Sequence, residues 1–301
     1  MTPPPATDVV TATAAALLAP PAPSVGRDDG APPPPVAAFA ALARSRGLAL
    51  PDGRALTFAS LAPGGAAAAG AALDWERAIA ATACVGLREG SWHDAFNATA
   101  WLAFPRTKAA LNAVHVEAGV ASARGAPAGS VVATTAAPGA NARTRARDAA
   151  TLLDESGILV ACADARIVGA WREHRWRDAF GDAANLGASP AAWVVGHGVL
   201  DKLRAPFPAL TAKALVLPVA PSALPVDAEA RRAVVDRCAA GWIAARGAAF
   251  APADLIPLPL AALPALAWPP LAGRPPMSAE PRRFDDVAVF RPARRGSPAV
   301  A

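Results

Sequence analysis

Residues 92–116 hold the highest density of side chains that could do chemistry in this chain. The polar residues of this segment that could form a site are His93, Asp94, Asn97, Lys108, Asn112 and His115. On helices, side chains three or four residues apart share a face, which would place His93 beside Asn97 and Lys108 on one face with His115. Imidazole and carboxylate groups bind metals and transfer protons. The segment therefore predicts a metal or acid–base site, although no H-E-x-x-H pair is present.

A structural explanation of the same residues stays open. Asp94 could complete a capping box that starts at Ser91. His93 and Asn97 could then bond the neighbouring backbone and hold no ligand. Two aromatic residues of this segment, Trp92 and Trp101, could line a binding surface or hold the helices together.

A second group of candidates follows at Asp154, Glu155 and Ser156. We expect them at the end of a strand that turns at Ser156-Gly157 into a second strand, as in a β-hairpin. Since adjacent strand residues point to opposite faces, at most one of the two carboxylates would enter a given pocket. Ser156 would act as a nucleophile only beside a base. Ordinary turn chemistry explains the same residues.

His197 and a few cations complete the candidates. His197 lies between two glycines at a predicted strand-to-helix junction, where it would face a cleft or be buried against the backbone. Lysine is scarce among the 29 basic residues, so Lys108 and Lys213 stand out as compact charges that arginine does not replace. Arg106 beside Lys108 at a helix start could meet a small anionic ligand with the help of backbone amides.

The helices that must position these residues are indicated by caps and prolines. Asp74 predicts a helix over 75–87, Ser91 predicts one that ends before Pro105, and Pro105 itself begins a third that runs to about Gly119. Later helices are expected over 166–180 after Asp164, over 197–203, and from Asp227 to Arg246.

Short apolar runs predict the strands, at 151–155 and 158–162, at 213–219, and at 193–195 unless a helix starts at Pro190. Because strands do not alternate regularly with helices, we expect an α+β fold, rich in helix, with a small hairpin or sheet.

Proline placement indicates the domain boundaries. Residues 1–35 and 251–301 contain most of the 32 prolines. We expect a disordered or weakly ordered region over 1–73, one α+β domain over 74–250 with a flexible insertion at 123–142, and an extended segment over 251–301.

The composition excludes several classes of protein. The net charge is +5, but the arginine clusters lack interleaved aromatic residues, so specific nucleic-acid binding is not indicated. Three widely spaced cysteines exclude a disulfide scaffold and fit a reducing compartment. Three uncharged stretches approach the length of a membrane span, but prolines, glycines and polar residues interrupt each of them. No membrane span is therefore expected. We expect a cytoplasmic protein, and neither a cofactor nor a partner is identified.

Several segments together resemble a bacterial family catalogued as domain of unknown function 3025. The resemblance rests on the Trp92–His115 segment and on Arg147-Asp148 leading to Gly157, and it extends to Gly196-His197, to 210–213 and to Phe284-Asp285-Asp286. It covers roughly residues 74–295. It implies that the proline-rich C-terminal segment packs on the domain, and it implies no activity.

Two functional hypotheses remain at this point. The first is a non-catalytic binding or structural protein in which the tryptophan, histidine and asparagine side chains hold the helix pair together. The second is a hydrolytic enzyme, with or without a metal. Its pocket would be built from His93, Asn97, Lys108, His115, Asp154 or Glu155, and His197. Convergence of these side chains on one concave pocket would favour the enzyme.

Overall fold

The computed structural model describes residues 32–61, 71–125, 138–180, 190–205, 207 and 209–263. Helices and strands are mixed without regular alternation, so the predicted α+β class is confirmed. The described helices are α1 (Val36–Ser45), α2 (Ala71–Thr82), α3 (Trp92–Ala103), α4 (Pro105–Gly125), α5 (Pro138–Ser156), α6 (Ala165–Arg172), α7 (Trp176–Phe180), α8 (His197–Lys202) and α9 (Ala228–Arg246). The described strands are β1 (Thr57–Ser60), β2 (Cys84–Leu87), β3 (Gly157–Ala161), β4 (Ala191–Val194), β5 (Thr211–Leu217) and β6 (Ile256–Pro259).

Strands β1 and β2 form a separate two-stranded sheet from residues that were expected to be disordered or helical. Helix α1 buries Phe39 and Leu42, and β1 pairs in parallel with β2 through Phe58 and Val85. The expectation of disorder or weak order over 1–73 therefore does not hold for residues 36–60, because their apolar side chains reach the core. The predicted helix over 75–87 is also wrong at its end, where β2 takes the last four residues.

The two helices predicted on either side of Pro105 both form, although the second runs to Gly125 and not to about Gly119. The Ser91 hydroxyl accepts a hydrogen bond from the Asp94 backbone N–H, which caps α3. Helix α3 ends at Ala103, before Pro105. Proline then begins α4, where its missing N–H costs no hydrogen bond.

The hairpin predicted around Ser156-Gly157 is wrong. Residues 151–156 are the last turns of α5, and β3 starts at the next residue. Leu152 and Leu153 lie on α5 and pack against the core. An apolar run this short has no period that distinguishes a helix from a strand. The predicted turn residues join a helix to a strand.

The larger sheet has the strand order β4-β3-β5-β6. Strand β3 is parallel to β5 and antiparallel to β4, and β5 is antiparallel to β6. Side chains alternate between two buried clusters: Leu159 and Leu215 pack on one face, and Ile158 and Ala214 on the other. The sheet is thus covered on both faces and fixes the two strand ends at which the site lies.

In the C-terminal part of the domain, two helices begin directly after the residues predicted to cap them. The Asp164 side chain accepts the Arg166 N–H at the start of α6, and the Asp227 side chain accepts the Ala230 N–H at the start of α9. The helix predicted over 166–180 is interrupted at His174, whose φ is +57°. Strand β6 belongs to the segment expected to pack on the domain, whereas residues 264–301 and 126–137 of the insertion lie outside the described residues. No helix within the described ranges is long and apolar enough to cross a membrane.

Candidate functional site

The candidate site lies where β3 begins and β4 ends. These strands are antiparallel neighbours, so the end of α5, just before β3, meets the start of α8, just after β4. The backbone N–H groups of Val195 and Gly196 both donate to the Gly157 carbonyl, at 3.2 and 2.9 Å. This pairing brings Glu155 next to His197.

Both carboxylates of the 154–155 pair face the same cavity. On the strand predicted for them, only one of the two would enter a pocket. On a helix, consecutive side chains are rotated by about 100°, so Asp154 and Glu155 can both border one concave surface. Arg147 and Thr151 precede Asp154 by seven and three residues, which places all three on one helix face, and they line the cavity as well.

The cavity has a volume of about 450 Å³. Most of the predicted catalytic residues converge on it, from helices α3, α4, α5 and α8, and α2 contributes one residue more. Its polar and charged lining residues are Glu76, Arg88, His93, Asp94, Asn97, His115, Arg147, Thr151, Asp154, Glu155 and His197. Side chains that are up to 121 positions apart in the sequence are therefore gathered in one place.

A cluster of two histidines and one carboxylate occupies the wall formed by α3, α5 and α8. The His197 Nε2 atom lies 3.4 Å from Glu155 Oε1, and the His93 Nε2 atom lies 4.0 Å from the same oxygen. The two imidazole rings meet edge to face, with centroids 4.5 Å apart. The contact with His197 is the main cause that lowers the pKa of Glu155, and His93 adds to it. These three residue types in this arrangement could hold a divalent cation.

Asp154 lies behind this cluster as a buried anion. Its carboxylate forms an ion pair with Lys108, whose side chain is 3% exposed, and lies 3.6 Å from His197 Nδ1. Burial alone would raise the pKa of Asp154, but the charges of Lys108 and His197 outweigh it and hold that pKa below its usual range. Lys108 thus supports the cavity through Asp154 and is not among the residues that line it.

Asn97 and His115 border the cavity as neutral, buried groups. Asn97 is 7% exposed, and its Oδ1 atom has no hydrogen-bond partner among the described residues. An unpaired buried carbonyl oxygen costs free energy unless something in the cavity bonds to it. Burial lowers the pKa of His115, which keeps its ring neutral at pH 7. Both residues line the cavity.

Comparison with known proteins supports the resemblance that the sequence motifs gave. Residues 64–294 match the family described as proteins of unknown function, DUF3025. The chain belongs to this family. No curated protein matches it, and neither does any solved structure. The function of this DUF3025 protein therefore has to be argued from the cavity itself.

Glu76 is a cavity residue of the DUF3025 chain that the sequence analysis missed. It belongs to α2, and its side chain and carbonyl oxygen both accept hydrogen bonds from Asn112 Nδ2. Burial is the largest cause that raises the pKa of Glu76 to about 7, and the nearby Asp154 charge adds to it. No local sequence pattern around Trp75 and Glu76 indicates that Glu76 belongs to the cavity, because its partners lie on α4 and α5.

Replacing Glu76 with glutamine should make stability less dependent on pH. A carboxyl whose pKa is raised on folding favours the folded state below its unfolded pKa, and that contribution is lost as the pH rises towards 7. We expect Glu76→Gln to be more stable than the wild type at pH 8, by on the order of 1–3 kcal/mol, with a smaller difference at pH 5. Urea unfolding at both pH values measures this, with Glu117→Gln as a control, and an equal difference at both pH values would contradict it.

The remaining candidates of the DUF3025 chain make contacts that join neighbouring elements. Asp94 accepts hydrogen bonds from the Arg88 backbone and guanidinium at 2.7–3.0 Å, which lower the pKa of Asp94 despite its burial. Trp92 stacks on Phe96, and the Arg204 guanidinium lies 4.7 Å from the centre of the Trp92 ring. Trp101 is buried in the core, where Lys108 Nζ lies 5.5 Å from its ring centre.

Two predicted anion-binding residues lie away from the cavity. The N–H groups of Arg106 and Thr107, at the start of α4, donate to the Asp236 carboxylate at 3.0 and 2.8 Å. The anion expected at this helix start is therefore a side chain of the protein itself. Lys213 lies on β5, opposite Pro257 of β6, and is not among the lining residues. Ser156 ends α5 and also lies outside the lining set.

Proposed function

We propose that this DUF3025 protein is a hydrolytic enzyme that acts on a small molecule bound in the 450 Å³ cavity. The observation that carries the proposal is the convergence on this cavity of proton-transferring side chains from five helices. Buried titratable groups with shifted pKa values concentrate at functional sites, since burying them in an apolar wall costs stability. We include in the proposal a cytoplasmic location, which the three free cysteines fit.

The lining residues suit the two halves of a hydrolysis. Water adds its oxygen to the acyl or phosphoryl atom, and its proton ends on the leaving group. The cluster of His93, Glu155 and His197 would bind and activate the water. Glu76, with its pKa of about 7, could give or take a proton at neutral pH. Asn97 offers an amide to hold the substrate.

The substrate class is a small anion or a polar molecule. Arg147 borders the cavity from an exposed position on α5, and its positive charge reaches Glu76 and His115. A guanidinium at a cavity rim suits a carboxylate or phosphate group. The volume limits the bound part to a compact molecule.

The alternative function, binding without catalysis, has one observation in its favour. Two of the polar groups near the cavity are engaged in ion pairs: Asp94 with Arg88, which ties α3 to the loop after β2, and Lys108 with Asp154, which joins α4 to α5. A binding protein would need the cavity but would not need the shifted proton affinities of Glu76 and Asp154. Turnover separates the two functions.

A substrate screen tests the proposal directly. The wild-type chain, with and without added divalent metal, is assayed against nitrophenyl esters, nitrophenyl phosphates and amino-acid anilides. We expect turnover of at least one class, and we expect Glu155→Gln and His197→Asn to lower kcat/KM by about 10²–10⁴-fold. His174→Ala, a histidine outside the cavity lining, is the matched control. Turnover that survives unchanged in both cavity variants, or its absence from the whole screen, contradicts the proposed function.

A further inference from the structure

We propose that His93, Glu155 and His197 bind one divalent transition-metal ion, with Zn²⁺ as the representative case. One candidate ligand atom from each residue lies within 4.8 Å of the other two. Two ligands of a tetrahedral zinc ion with bonds of about 2.0 Å are separated by about 3.3 Å. The 3.4 Å between His197 Nε2 and Glu155 Oε1 already matches this separation, and the 4.0 Å to His93 Nε2 needs only a small side-chain rotation.

The surroundings of His197 favour metal binding through Nε2. Its other ring nitrogen, Nδ1, is buried, lies 3.6 Å from the Asp154 carboxylate and has no hydrogen-bond partner in the described part of the chain. A metal-bound histidine commonly directs its second N–H at a carboxylate, which fixes the tautomer and leaves a lone pair for the metal. Asp154, held by Lys108, is placed to accept that N–H.

The backbone brings the donors close together before any ion binds. Gly198 lies so near Glu155 that a Cβ atom at position 198 would be 2.6 Å from the Glu155 Oε2 atom and 2.9 Å from its carbonyl oxygen. The glycines on both sides of His197 therefore allow α8 to start against the end of α5. Donors held on three packed helices lose little freedom on binding an ion.

An ion in this position would keep a site open towards the cavity. The His93 and Glu155 side chains are 41% and 45% exposed, whereas His197 is buried, so the cluster faces solvent from one side. Three protein ligands with an open fourth position are typical of catalytic zinc, where bound water loses a proton near neutral pH. Asn97, whose buried Oδ1 atom has no hydrogen-bond partner in the described part of the chain, also lines this cavity.

The inference deepens the proposed function, and it rests on that function for its catalytic meaning. Metal binding itself is measured without a substrate. If an ion binds but nothing is hydrolysed, the site stands and the proposed function fails. If no ion binds but a substrate is hydrolysed, the function stands and the metal site fails.

Binding of Zn²⁺ to the purified full chain is the test. The protein is prepared without a histidine tag, and a chelator first removes any bound metal. Calorimetry and metal analysis after gel filtration should give one Zn²⁺ per chain. We expect His93→Ala, Glu155→Gln and His197→Ala each to weaken binding at least about 100-fold, and Asp154→Asn to weaken it about 10–100-fold as a positioning residue. Circular dichroism verifies that each variant is folded, and Glu155→Gln, isosteric and half-exposed, remains informative if the others unfold.

The controls use a histidine and a glutamate from outside the cluster. His174→Ala and Glu173→Gln should bind Zn²⁺ as the wild type does. The Co²⁺-loaded wild type should show the visible absorption of a four- or five-coordinate ion, with the spectrum shifted in Asp154→Asn if Asp154 orients His197. Absence of stoichiometric binding, or equal binding by the wild type and Glu155→Gln, overturns the proposal.

Discussion

Replacing Lys108 with methionine is expected to lower the free energy of unfolding by about 3–5 kcal/mol. Lys108 is buried at 2% exposure and is the ion-pair partner of Asp154. Methionine keeps most of the side-chain volume but leaves the Asp154 charge in a poorly solvated position without its cation. Urea unfolding at pH 7.5 measures the loss. Lys202→Met, an exposed lysine of α8, is the control and should change stability by less than about 0.5 kcal/mol.

The double variant Lys108→Met/Asp154→Asn separates the charge from the packing. Removing both charges should recover a large part of the lost stability, because the main cost of the single variant is the unpaired carboxylate. If the double variant is as unstable as the single variant, the effect comes from packing against Trp101 and the ion-pair argument is wrong.

The pH dependence of this loss has a definite sign. Because the pKa of Asp154 is lowered on folding, the ion pair contributes stability above the ordinary carboxyl value of 3.8 and loses it as the pH falls through the lowered pKa. The difference between the wild type and Lys108→Met should therefore shrink in acid. A difference that stays constant from pH 7 to pH 3 would exclude Asp154 as its source.

Local signals in the sequence predicted the elements that depend on caps. Ser91, Asp164 and Asp227 each cap a helix in the structure, because a side-chain oxygen next to an unpaired N–H acts over one turn. The prediction failed at 151–156, where a short apolar run lacks a period. It also failed at 36–60, where nearby prolines suggested disorder, whereas Phe39 and Phe58 are buried in the core and β1 pairs with β2.

The site was predictable where its members lie on one element. His93 and Asn97 share a face of α3, and the spacing of Arg147, Thr151 and Asp154 is helical once α5 is placed correctly. Glu76 contacts a residue 36 positions away, and Lys108 pairs with Asp154 46 positions away, in each case on another helix. No local sequence pattern encodes such contacts. The sequence indicated most of the groups, whereas helix packing and the pairing of β3 with β4 determined which of them meet.

Replacing Gly196 with alanine is expected to cost about 3 kcal/mol or more and to displace His197. A Cβ atom at position 196 would lie 2.3 Å from the Gly157 nitrogen and 2.8 Å from the Glu155 carbonyl oxygen. Both are backbone atoms of the junction between α5 and β3, so no side-chain rotation relieves the overlap. The junction would separate from the start of α8, which moves His197 away from Glu155. Urea unfolding and Zn²⁺ calorimetry on the same variant measure the two effects.

Gly241→Ala is the matched control for this prediction. Gly241 lies inside α9, and a Cβ atom there would have no neighbour within 4 Å in the described part of the chain. Alanine in a helix interior should raise stability by about 0.5–1 kcal/mol and leave Zn²⁺ binding unchanged. If Gly196→Ala behaves like Gly241→Ala, the close contact between α8 and the α5–β3 junction does not constrain the site. If it loses stability but binds Zn²⁺ with wild-type affinity, the contact supports the fold without positioning His197.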